Sequence, residues 1–183
     1  MRNLSVICLF ACLGIVSLSC QKEKLPKPSQ SGANTFGCKI NGKNWVPHST
    51  GGFGGTEPTI GGFFYSANNR PDVWITAYDD RTSIDLFLNN VTSTGEYLLN
   101  QTTQPIPPST RPANYGAYFI DGNTIADPDY AYITSRQYTG KVTITRAGTV
   151  NRIVSGTFEF TAYDSDSKQT VRITDGRFDI QNH

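Results

Sequence analysis

Few residues in this chain have the types and spacing that chemistry requires, and the carboxylates come first. Asp85 and Glu159 each stand in an alternating run, opposite Ile84, Leu86 and Leu88 in one case and Phe158, Phe160 and Ala162 in the other. Two carboxylates about 5–9.5 Å apart suffice to hydrolyse a glycosidic bond, so a hydrolase of extracellular polymers is one reading and solvated strand faces are the other. Asp164 and Asp166 could offer oxygen to calcium, but they lack the further ligands and the glycine of an EF-hand loop, and a turn accounts for them. His48 and His183 are the only histidines, and with Cys38 they make too small a set for zinc. Gly51-Gly52-Phe53-Gly54-Gly55 lacks the Gly-Lys-Ser/Thr ending of a phosphate loop, and no Gly-x-Ser-x-Gly elbow raises a nucleophile. No catalytic set, metal set or cofactor motif emerges. The aromatic side chains are a better lead: Trp74, Tyr78, Tyr115, Tyr130 and Tyr132 present flat rings with polar tips that could stack on sugars or peptides. Tyrosines at the edges of an ordinary sheet are the alternative.

The elements that must position these residues are strands. Thr35 to Ile40 alternates and is followed by Asn41-Gly42, the strongest short hairpin signal, with Asn44-Trp45-Val46 returning. Cys38 falls on the apolar side of that hairpin, as a small core residue does. Further runs at Phe63 to Ala67, Val73 to Tyr78, Ser83 to Leu88, Tyr97 to Leu99, Tyr115 to Asp121, Tyr130 to Ser135, Gly140 to Ala147 and Ser155 to Tyr163 are separated by Asn, Asp, Gly and Pro clusters. No stretch after residue 20 keeps a 3.6-residue apolar period. The fold class is therefore all-β: a single antiparallel β-sandwich or barrel of about nine to eleven strands, with little helix. At the end of the chain Val171 and Ile173 face inward by parity, and so must Phe178 and Ile180, which are of the opposite parity. One extra residue has to be absorbed between them, and Asp175-Gly176 is the place for a β-bulge with glycine taking the unusual dihedral. Asn100 to Ala113, with four prolines and no periodicity, is either a binding loop or a stiffened connection.

The first nineteen residues read as an address. Arg2 gives a positive start, Leu4 to Val16 is apolar apart from Ser5, and Ser17-Leu18-Ser19 precedes Cys20, the layout of a secretory signal. The apolar part is too short for a bilayer core, which takes about 20 residues. Ser17-Leu18-Ser19-Cys20 resembles a bacterial lipobox, which implies cleavage before Cys20 and lipid on that cysteine. Residues 1–19 are thus expected to be a lipoprotein signal peptide, 20–34 the lipidated cysteine with a flexible, polar, proline-bearing linker, and 35–183 the β domain. The mature chain keeps 15 Lys+Arg, the 16 of the full sequence less Arg2, against 15 Asp+Glu. A neutral domain has no electrostatic footprint for nucleic acid.

Thr35-Phe36-Gly37-Cys38-Lys39-Ile40-Asn41-Gly42-Lys43 with Trp45 and Pro47, Arg152-Ile153-Val154-Ser155-Gly156-Thr157-Phe158-Glu159-Phe160, and Ile173-Thr174-Asp175-Gly176-Arg177-Phe178-Asp179 resemble a family of uncharacterised Bacteroidota lipoproteins that share a β-rich domain of unknown function. The resemblance spans most of residues 35–181. It implies an outer-membrane protein, periplasmic or surface-exposed, and carries no catalytic residue over. The expected function is a lipid-anchored cell-envelope module, more a non-catalytic binder than an enzyme. Its membrane contact is the N-terminal lipid, and its partner is a glycan, a peptide or an envelope protein. A polymer hydrolase and a carrier of a small apolar ligand are the alternatives.

Overall fold

Alternation decides where each strand turns its side chains, and the computed structural model shows the result for residues 24–48, 60–67, 70–103, 112–122, 129–148 and 152–181, with the backbone alone for 63–67 and 70. The signal and Cys20, the glycine-rich stretch 49–59, residues 104–111 of the proline-rich segment and His183 lie outside the described residues. Among those described there are eleven strands and no helix: β1 (Thr35–Ile40), β2 (Lys43–Trp45), β3 (Ile60–Ala67), β4 (Arg70–Asp79), β5 (Thr82–Leu88), β6 (Gly95–Leu99), β7 (Tyr115–Ile120), β8 (Tyr130–Ile133), β9 (Gly140–Gly148), β10 (Ile153–Asp164) and β11 (Gln169–Gln181). They form one antiparallel sheet in the order β2-β1-β11-β10-β8-β7-β5-β4-β3, with β9 branching from β10 and β6 from β9.

The sheet curls into a half-barrel over one core. Phe36, Cys38, Val73, Ile75, Ile84, Leu86, Val142, Ile144, Phe158, Phe160, Ile173, Phe178 and Ile180 all lie in it, each at most 3% exposed. Phe158 stands among Phe36, Phe160 and Phe178, with ring centroids 5.0, 6.3 and 6.3 Å away. Curling brings β3 back toward β11 at one point: a Cβ on Gly62 would come within 2.5 Å of Ile180 Cγ2, so only glycine admits this approach. Cys38 is fully buried and burial pushes its thiol pKa up, so it is an inert core residue rather than a nucleophile.

The backbone meets one local expectation in full and displaces a detail of another. Asn41 and Gly42 take φ of 49° and 82° between paired Ile40 and Lys43, a two-residue turn with both positions left-handed. The bulge in β11 is present, since Phe158 pairs with Gly176 but Phe160 with Ile173, leaving one residue too many opposite Glu159. Its unusual dihedral falls on Asp175 (φ 52°), not on Gly176 as parity and composition suggested. Gly176 is needed for another reason: a Cβ there would lie 2.6 Å from the Phe158 ring. Val171, Ile173, Phe178 and Ile180 consequently all face the core.

The described part of the expected linker, 24–34, is not a free spacer. It lies along the outer side of the sheet, held by Asp179, which is only 1% exposed. The Asp179 carboxylate accepts hydrogen bonds from the backbone N–H groups of Ser31 (2.9 Å), Gly32 (2.9 Å) and Ala33 (3.1 Å) and from the Ser155 hydroxyl (2.7 Å). Arg177 donates to the Pro26 carbonyl (3.0 Å) and Arg146 to that of Gln30. The sequence of the strap reads as flexible because its partners are more than about 110 residues away along the chain. Burial alone would raise the Asp179 pKa, but the hydrogen bonds from Ser155, Ser29, Ala33 and Gly32 outweigh it and hold the carboxyl well below the usual range.

A folded pKa below the unfolded value of about 3.9 means that this stabilisation is complete above about pH 4 and is lost as pH falls through the folded value. Asp179→Ala should cost about 2–3 kcal/mol at pH 7, and amide exchange should show residues 24–34 released. Unchanged strap protection in that variant would mean that other contacts hold it.

Candidate ligand-binding groove

Because Phe158, Phe160 and Ala162 of β10 point into the core, Thr157, Glu159 and Thr161 point out. Thr157 sits between Thr143 of β9 and Arg177 of β11; Glu159 faces Lys141 of β9, and Thr161 faces Arg172 of β11. Three adjoining clefts run along this face. One of about 310 Å³ lies under the strap, between Lys27–Gln30 and Thr157, Arg177 and Asp179. The next, about 420 Å³, shares Pro28, Thr157 and Arg177 with it and extends past Lys141, Thr143, Glu159 and Asp175. The third, about 400 Å³, shares Lys141 and Glu159 and continues to Thr161, Arg172, Thr174 and Leu98. The strap walls one end, and Leu98 of β6, half exposed, stands at the other. Gly140 and Gly176 line these clefts with backbone; a Cβ on either would collide on the core side with Phe160 or Phe158.

The groove is lined by hydroxyls and by charges of both signs. Lys141 Nζ lies 2.9 Å from Glu96 Oε2 and 4.0 Å from Glu159 Oε1, and Lys39 Nζ lies 2.7 Å from Asp175 Oδ2. The Glu96 hydrogen bond and charge raise the Lys141 pKa, and Lys39 lowers that of Asp175. All these side chains are well exposed and screened by water, so they shape a binding surface more than they stabilise the fold. Such a lining can donate to and accept from a hydrophilic chain along its length.

The carboxylates singled out from sequence do not meet. Asp85 is on β5 and Glu159 on β10, with β7 and β8 between, so at about 4.8 Å per strand they are roughly 14 Å apart across the strands, and the register sets them about 13 Å apart along the strands as well. Glu159 instead shares Lys141 with Glu96. Asp164 serves the turn instead: it accepts the N–H groups of Ala131 (3.0 Å) and Ser167 (2.6 Å) and closes the β10–β11 turn, while Asp166 is exposed. Burial alone would raise the Asp164 pKa, but the bonds from Ser167 and Ala131 bring it below its ordinary value.

The curl divides the five aromatic candidates between two faces. Tyr132 is 7% exposed in the core against Tyr118 (5.9 Å), and Tyr130 packs on the same core. Trp74, Tyr78 and Tyr115 are on the outer side. There Phe87, Tyr115 and Ala117 form a second, buried apolar cluster with Trp74, Phe119 and Ile133 partly buried against it. Tyr115 stacks on Phe87 at 5.8 Å and is 2% exposed, whereas Tyr78 is 36% exposed. The inner face of β4 is thus buried, and its outer face runs from partly buried Trp74 to exposed Tyr78. Of the 100–113 segment, the described end is pinned: Asn89 donates to the Pro112 carbonyl (2.7 Å), and the Asn114 side chain bridges the Asn89 N–H and the Leu98 carbonyl. Sequence reasoning missed Lys141, Thr157 and Arg177 as site residues, because they become neighbours only through pairing of distant strands.

Asp85 lies inside this outer cluster, 8% exposed, accepting from Trp74 Nε1 at 3.2 Å. Burial raises its pKa against the opposing hydrogen bonds of Thr76 and Trp74, and burial with the Asp85 charge raises that of Tyr115. A carboxyl whose folded pKa is raised contributes most below its unfolded value, and that contribution is lost as pH rises through the folded value. Asp85→Asn keeps the acceptor oxygen and removes the charge. Its thermal midpoint should exceed that of the parent at pH 7, with the advantage gone below about pH 4; an equal difference at both would show that burial of the charge is not the cause.

A family model described as "Domain of unknown function (DUF6252)" matches residues 63–179, a stretch that includes the groove strands β9 and β10 whole and ends within β11. No curated protein and no solved structure matches the chain.

Proposed function

The chain belongs to the DUF6252 family, and from that premise we propose that it is a lipid-anchored, non-catalytic binding module of the cell envelope. Its ligand is an extended hydrophilic chain, a glycan or a peptide, lying in the groove over β9, β10 and β11. The observation that carries this reading is the continuity of three clefts along one strand face, lined by Thr143, Thr157, Glu159, Lys141 and Arg177. Each is of the size that holds a small ligand, and in sequence they suit a polymer.

Two features favour binding over the alternatives. The interior is occupied by packed phenylalanines and aliphatic side chains, which suits a scaffold rather than a carrier of an apolar ligand. In the groove, Glu96 and Glu159 are both engaged with Lys141, which suits recognition rather than acid–base chemistry. Cys20 and the signal-like run before it support the anchor, and the outer membrane is the proposed location.

The test is co-sedimentation with purified cell-wall sacculi and outer-membrane polysaccharide, alongside Thr157→Trp, which fills the middle cleft. Binding should weaken at least tenfold, about 1.4 kcal/mol, with the thermal midpoint unchanged. Equal binding by the variant would exclude the groove. Cys20→Ala should move the protein from the membrane to the soluble fraction; retention at the membrane would remove the anchor from the account.

A further inference from the structure

We propose that His48, Asp79 and Asp80 form a binding site for a divalent transition metal of the zinc type at the tip of the β4–β5 hairpin. One ligand atom from each of the three lies within 4.8 Å of the others, and His48 Nδ1 is 3.3 Å from Asp79 Oδ1. Zinc holds nitrogen and oxygen at about 2.0–2.2 Å, so donors around one ion stand roughly 3–3.6 Å apart. The first pair already meets that spacing, and an Asp80 carboxylate oxygen lies within 4.8 Å of both.

The residues come from two distant segments that a buried anchor holds together. Trp45, the last residue of β2, packs edge-on against Phe36 at 6.0 Å and donates from Nε1 to Thr82 Oγ1 at 3.0 Å. Thr82 pairs with Asp79 across the hairpin. His48 is thus delivered to the hairpin three residues beyond a fixed tryptophan, and Asp79 Oδ1 also accepts the Asp80 N–H. One imidazole nitrogen with two carboxylates selects a borderline ion such as zinc over calcium or magnesium, which take oxygen sets. The side chains of His48 and Asp79 are 49% and 24% exposed, leaving one side of the ion to water. Bound there, the metal would clip the segment after β2 to the hairpin. The site is separate from the groove and does not depend on it. No motif announces it, because His48 has no ligand-type neighbour at metal-motif spacing.

The experiment is calorimetric titration of zinc chloride into the detergent-solubilised full chain, stripped by chelator and with accessible thiols alkylated, with stoichiometry read by native mass spectrometry. One ion per chain should bind with a dissociation constant in the micromolar range and raise the thermal midpoint by mass action. His48→Ala and Asp79→Asn should each weaken binding about tenfold or more, and His183→Ala should leave it unchanged. His48→Gln replaces the alanine variant if that one fails to fold. Absence of saturable binding, or binding indifferent to both substitutions, overturns the proposal and leaves His48 and Asp79 as an ion pair only.

Discussion

Strand β10 has one ladder edge that two strands must share. Along one side it pairs with β11 from Ile153 to Asp164; along the other it pairs with β9 as far as Phe160 and then with β8 at Tyr163. A backbone edge can serve one neighbour at a time, so β9 must depart where β8 arrives. The departure is at Gly140, whose α-carbon packs directly on Phe160, and the Thr161 N–H bonds the Thr139 carbonyl as the strands part (3.0 Å). From this fork the chain gains its two wings, the β8-β7-β5-β4-β3 wing that curls back toward β11 and the β9-β6 wing that borders the groove.

The fork also sets the geometry of the core and of the surface together. The bulge in β11 at Thr174 to Gly176 and a second irregularity where Ser155 pairs with Arg146 but Gly156 with Ile144 bend the strands so that Phe158 can fill the centre. Gly140 and Gly176 make room on the core side for Phe160 and Phe158, while Thr157, Glu159 and Thr161 of β10 face the groove outside. The strap then closes one end of the groove through Asp179, which ties the N-terminal segment to the last strand and, through Ser155, to β10.

Much of the fold was legible because it is written in local rules. Alternation placed Phe158, Phe160 and Ala162 inside and Thr157, Glu159 and Thr161 outside, Asn41-Gly42 marked its turn, and opposed parity of Ile173 and Phe178 required a bulge. Alternation could not rank the two faces of β4 and β5, so Asp85 read as solvated while it lies buried beside Trp74. Nor could it say which distant segments of the chain pair. That ignorance separated Glu159 from its neighbour Glu96, hid the approach of His48 to Asp79, and made residues 24–34 read as a free tether. The aromatic candidates are parted for the same reason: Tyr130 and Tyr132 belong to the inside of β8 and Tyr115 to the buried outer cluster, while Trp74 is partly buried and Tyr78 exposed on the outer face.

The central claim, that the face of β10 is where a ligand lies, is tested most directly by hydrogen exchange of the detergent-solubilised protein with and without saturating envelope polymer. Bound ligand should slow exchange in 139–145, 157–161 and 172–177 and leave 70–88 and 115–120 unchanged. Protection confined to the Trp74 and Tyr115 face under saturating ligand would place the site on the other wing and contradict the account.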